Sequence, residues 1–84
     1  MKIACDVYKS SKKEDLYIYV RSDDGLSKVP ADLLSTFGTP EKALSFTLTP
    51  DRTLAKEDPG EVMANLEDKG YHLQMPPVDD RFRG

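Results

Sequence analysis

The sequence predicts a small single domain of the α+β class, mainly an antiparallel sheet of about four to five short strands with two helices in the approximate order ββαβ(β)αβ. Three observations carry that prediction. Apolar and polar residues alternate with period two around Ile3–Val7, Leu16–Val20, Leu44–Leu48 and Tyr71–Met75, the pattern of half-buried strands. Two apolar stripes at helical spacing separate those stretches, around Val29–Phe37 and Val62–Leu66. The chain has 84 residues, 38% of them hydrophobic and 32% charged, which is enough for one thin core and no more. At the usual stability per residue such a domain holds about 4–12 kcal/mol, so single core substitutions are felt.

The elements follow in order. Ile3, Cys5 and Val7 alternate with Ala4, Asp6 and Tyr8, and Leu16, Ile18 and Val20 alternate with Tyr17 and Tyr19. The polar link Lys9 to Asp15 is short, so these two strands pair as an antiparallel hairpin closed by a loop. Asp23-Asp24-Gly25 breaks the second strand. A short helix near 30–37 follows, with Pro30 suited to a first turn, Asp32 at the positive end of the helix dipole and Gly38 as the left-handed stop. A third strand near 43–48 ends at the turn Thr49-Pro50-Asp51-Arg52, and Thr53-Leu54-Ala55 is a short candidate fourth strand. Asp58-Pro59-Gly60-Glu61 is a helix start, with Asp58 as cap and Glu61 in the capping-box position. Gly70 ends that helix, Tyr71 to Met75 forms the last strand, and Pro76-Pro77 closes it. The domain is expected over 1–77, with a mobile tail over 78–84.

Two helices and one-sided strands are most simply packed as two layers, with both helices on one sheet face. On that arrangement Ile3, Cys5, Val7, Leu16, Ile18, Val20, Leu44, Phe46, Leu48 and Leu73 face the helices. Asp6, Tyr8, Tyr17, Tyr19, Ser45, Thr47, His72 and Gln74 face the other way, forming an open, tyrosine-bearing sheet face.

Taken together, Tyr8-Lys9-Ser10-Ser11-Lys12, Tyr17-Ile18-Tyr19-Val20, Val29-Pro30 with Phe37-Gly38, Arg52-Thr53-Leu54-Ala55 and Gly70-Tyr71-His72-Leu73-Gln74-Met75-Pro76-Pro77 mark a family. In their order and spacing the chain resembles the YcgL-domain family of small proteobacterial proteins, over nearly its whole length. The resemblance implies a compact mixed α/β fold. It implies no established activity and supplies no catalytic residues. The ending Arg81-Phe82-Arg83-Gly84 departs from relatives that run longer after the double proline.

The chemistry legible in the residues is sparse. Cys5 is the single cysteine and His72 the single histidine. The expected register points Cys5 inward and His72 outward, which separates a would-be thiol–imidazole dyad. No zinc spacing, calcium loop or glycine-rich phosphate loop is present, so no catalytic residue, metal site or cofactor is expected. Ser10 and Ser11 read as turn formers. A lone cysteine, no signal-peptide pattern at the first residues and no long apolar run point to a cytoplasmic protein without a membrane partner.

What remains is the tyrosine face. Tyr8, Lys9, Lys12, Tyr17, Tyr19, His72 and Gln74 are the candidate partner-binding residues, and the expected function is a non-enzymatic module that binds an unidentified cytoplasmic protein. The alternative is a single-stranded nucleic-acid or RNA module using the same face and the Lys9–Lys13 loop, because stacking aromatics flanked by cations bind bases. A net charge of −3 weighs against that alternative.

Overall fold

The computed structural model describes residues 2–54 and 57–75 and shows one four-stranded sheet with two helices, an α+β domain. The strands are β1 (Ile3–Lys9), β2 (Tyr17–Arg21), β3 (Glu41–Leu48) and β4 (Tyr71–Gln74), and the helices are α1 (Ala31–Phe37) and α2 (Pro59–Asp68). Across the sheet the order is β3-β1-β2-β4, and every neighbouring pair is antiparallel. The expected fourth strand falls partly outside the described residues, and its described part, Thr53 and Leu54, belongs to no strand. Pro76-Pro77, the domain limit at 77 and the tail 78–84 lie outside the described residues.

Local chemistry explains the element boundaries. Asp58 caps α2 by accepting a hydrogen bond from the Glu61 amide at 3.1 Å, with Pro59 in the first turn. Gly70 follows α2 with φ +87, and a Cβ there would stand 2.6 Å from Lys28 Cβ, so both conformation and space demand glycine. The hairpin loop also closes α1. The Ser10 hydroxyl donates to the Phe37 carbonyl and the Lys12 ammonium donates to the Ser35 carbonyl at 3.0 Å. Carbonyls of the last helical turn gain partners, and a cation sits at the negative end of the dipole.

The register overturns the two-layer expectation. Val7 pairs with Tyr19, Tyr8 with Ile18 and Tyr19 with His72. Partners across antiparallel strands share a face, so Ile3, Cys5 and Val7 lie with Tyr17, Tyr19, His72 and Gln74, while Ile18, Val20 and Leu73 lie with Tyr8 and Asp6. Each face has its own helix. Val62, Met63 and Leu66 of α2 pack with Ile3, Cys5, Val7, Tyr19 and Leu48. Phe37 of α1 packs with Leu16, Ile18, Val20 and Val29, joined by Leu33, Leu34, Tyr71 and Leu73. The sheet is thus the middle of three layers. Aliphatic stripes of successive strands were expected to point one way, whereas two opposed helices let them point opposite ways.

Candidate functional site

On the sheet face that carries α2, strands and hairpin loop leave a groove of about 310 Å³, lined by Val7, Asp15, Tyr17, Tyr19, Ala43, Leu44 and Gln74. Leu44 was expected to pack against a helix but is 51% exposed. It still pairs with Val7 on the α2 face, and next to it β3 bulges: the register shifts between Val7 and Tyr8 of β1, which pair with Leu44 and Lys42, so Ala43 is left without a partner. At the inner end of the groove the Tyr19 hydroxyl donates to Gln74 Oε1 at 2.8 Å, which fixes the amide. Burial, and then the Glu57 charge, push the Tyr19 phenol above its ordinary value, so it stays a neutral donor at physiological pH. At the outer end stands Asp15, whose backbone adopts φ +61, a conformation that aspartate tolerates better than most residues.

The seven expected binding residues do not form one surface. Tyr17, Tyr19 and Gln74 share the groove. His72 is on the same face, but it is 7% exposed and packed edge-on against Tyr19 with centroids 5.7 Å apart, so it is core and not open face. Tyr19, also 7% exposed, is core along most of its ring. Tyr8 lies on the opposite face with the α1 cluster. Lys9 pairs with Glu41 at 3.5 Å, and Lys12 is held at the end of α1. The open tyrosine face therefore shrinks to the groove around Tyr17 and Leu44.

His72 is engaged at both ring nitrogens. Asn65 Nδ2 donates to Nδ1 at 2.8 Å, which assigns the ring proton to Nε2, and Nε2 donates to Glu57 Oε1 at 2.6 Å. This pins the connection before α2 to the sheet and leaves no free lone pair for a general base. Sequence alternation placed Cys5 and His72 on opposite faces, and the structure puts them on one. The dyad still fails, because Cys5 is fully buried and burial, reinforced by the Asp6 charge, pushes its thiol up to about 11.

Asp6 went unrecognised in the sequence, where it read as an outward polar residue of β1. It is 6% exposed, accepts hydrogen bonds from Ser22 and Ser45 hydroxyls at 2.8 Å each, and lies 3.4 Å from Lys42 Nζ. Burial raises its carboxyl pKa, but the two hydroxyls and the ammonium outweigh that, so it falls below the ordinary carboxylate value. No sequence pattern announces this cluster, since Ser22, Lys42 and Ser45 come together through strand pairing alone. Among the described residues no three His, Cys, Asp or Glu side chains gather to hold a metal ion, and no helix is long and apolar enough to cross a membrane.

A second groove, about 530 Å³ and wider, runs along β4 between the helices and includes Asp32, Glu61, Asn65, Lys69 and His72. Its lining carries charges of both signs, and His72 there is already bound on both sides. The groove at Leu44 holds the exposed apolar side chain and three of the expected residues, which makes it the better candidate.

The fold is a small α+β domain with an open groove on the α2 face of its sheet. A family model of the YcgL domain matches residues 5–77, and the chain belongs to that family. It is 50% identical over 82 residues to a YcgL domain-containing protein of Stutzerimonas stutzeri, covering 98% of this chain and 84% of that relative. A relative of the same description in Pseudomonas putida is 52% identical over 82 residues, with the same coverage of 98% and 84%. One from Thioalkalivibrio sulfidiphilus is 55% identical over 75 residues, which is 89% of this chain and 93% of the relative. These relatives are described by their domain, with no activity attached.

Proposed function

We propose that this domain is a non-enzymatic, cytoplasmic protein-interaction module that docks a partner protein in the groove on the α2 face of the sheet. The observation that carries this reading is the exposure of Leu44, 51%, next to Tyr17 on a sheet face that is otherwise closed by a helix. Aromatic and aliphatic area held open on a rigid sheet is what interface cores are made of. The engaged imidazole of His72 and the buried neutral thiol of Cys5 favour binding over catalysis. Nucleic acid is disfavoured as the ligand: Lys9 and Lys12 are committed to Glu41 and to the end of α1, and Asp15 adds negative charge to the groove. A single cysteine kept as a buried thiol fits a reducing compartment.

The test places a photo-crosslinking amino acid at Leu44 and, in a parallel protein, at Thr47, an exposed residue of β3 on the other sheet face. In the native host the Leu44 probe is expected to give a discrete protein adduct that is lost when Tyr17→Ser is added. Equal adducts from both positions, or none from Leu44, would overturn the reading.

A further inference from the structure

The aromatic rings at the margins of this sheet share a habit. The Arg52 guanidinium carbon lies 4.6 Å from the Phe46 ring centroid, on the same face as the groove, and Lys42 Nζ lies 5.9 Å from the Tyr8 centroid on the other face. Both half-buried rings are thus covered by cations of the chain itself. Half-buried Tyr17 has no such cover among the described residues. Its cross-strand neighbour Lys9 sends its ammonium to Glu41 at 3.5 Å. Asp15, lining the same groove, takes part in no ion pair among the described residues.

We propose, resting on the docking reading above, that the groove takes an arginine side chain presented by a partner protein. Val7, Ala43 and Leu44 give an apolar floor for the methylene stem, the Tyr17 ring a surface for the planar head, and Asp15 the opposite charge. Arginine suits this arrangement better than lysine, because its guanidinium is planar, stacks on aromatic rings and is more weakly hydrated. Phe46 and Arg52 show the same pairing already made within this face.

The probe is N-acetyl-arginine-methylamide, titrated into isotope-labelled full-length protein beside the citrulline derivative, which has the same shape without the charge. The arginine probe is expected to give saturable NMR shifts at the Leu44 methyls and the Tyr17 ring. The citrulline probe should bind about two- to fivefold more weakly, and Asp15→Asn should reduce arginine binding by a similar factor, the scale of an exposed ion pair. Equal affinity for the two probes, or indifference to Asp15→Asn, would overturn the arginine assignment while a groove that still binds both probes keeps the docking reading. Saturable shifts absent from Leu44 and Tyr17 would overturn the inference, and the cross-linking result would then judge the docking reading independently. Contacts in the free protein from the chain's own Arg81 or Arg83 to Leu44 would overturn the assignment to a partner.

Discussion

Tyr17 and Tyr19 stand two residues apart on one face of one strand and meet opposite fates. Tyr19 is buried in the α2 cluster with its hydroxyl bonded to Gln74, whereas Tyr17 is half-buried, packed against the edge of that cluster and lining the groove. Tyr19→Ser should therefore cost about 3–5 kcal/mol, the range of large aromatic truncations in cores. Tyr17→Ser should cost about 1 kcal/mol or less, the scale of a cross-strand pair. Urea unfolding midpoints of the two variants check this directly. Alternation in the sequence told that the two tyrosines share a face, but not how far along that face a helix would reach. Asp6 carries a pH prediction of definite sign. Its folded pKa lies below the ordinary carboxylate value, so the stability it contributes is fully present above an unfolded value of about 3.9 and is lost as pH falls through the folded value. Melting temperatures followed from pH 6 down to pH 2 should fall less steeply in Asp6→Asn than in the parent, after an overall loss from the broken Ser22 and Ser45 bonds. An unchanged pH slope would show that Asp6 does not titrate with folding. The Cys5 thiol, fully buried and raised to about 11, should label far more slowly in the native state than in denaturant.

Among the elements, those set by neighbouring residues were readable and those set by distant ones were not. Asp58, Pro59 and Glu61 spell the start of α2 within four positions, and the Asp58 carboxylate accepts from the Glu61 amide as that spelling requires. Asp58→Ala should cost about 0.5–2 kcal/mol in chemical unfolding, and an unchanged midpoint would put the helix start elsewhere. Gly70 was equally readable as the stop of α2, although the crowding by Lys28 that makes it irreplaceable joins residues far apart in sequence. Gly70→Ala is expected to destabilise by about 1 kcal/mol or more, from the left-handed backbone alone, and thermal unfolding measures it. The hairpin loop is the opposite case. Ser10, Ser11 and Lys12 read as polar turn residues or as a basic patch, and no local rule shows that they fold onto the end of α1, with Ser10 serving Phe37, Ser11 accepting from the Thr39 amide at 2.8 Å and Lys12 serving Ser35.

At the scale of the molecule, fold class and element order were legible because period and punctuation are written in the chain, while the division of the strands between two faces was not. The length of the connection Ser10–Leu16 decides which residues of β2 lie beside Val7, and a change of one residue there would reverse every side chain of the strand. Ser10 donates its amide to the Leu16 carbonyl at 3.0 Å, and that closure pairs Val7 with Tyr19 rather than with an aliphatic residue. From it follow the three layers, the burial of His72 and the confinement of the open surface to the groove at Leu44. The claim on which the rest depends is that α1 and α2 cover opposite faces of the sheet. Nuclear Overhauser contacts between methyl and aromatic protons test it most directly. Ile18 and Val20 methyls should contact the Phe37 ring, and Ile3 and Val7 methyls should contact Met63 and Leu66, with no contact joining the two sets across the sheet. Strong contacts from Val20 methyls to Val62 or Leu66 would put both helices on one face, expose Tyr19 and His72, and contradict the account.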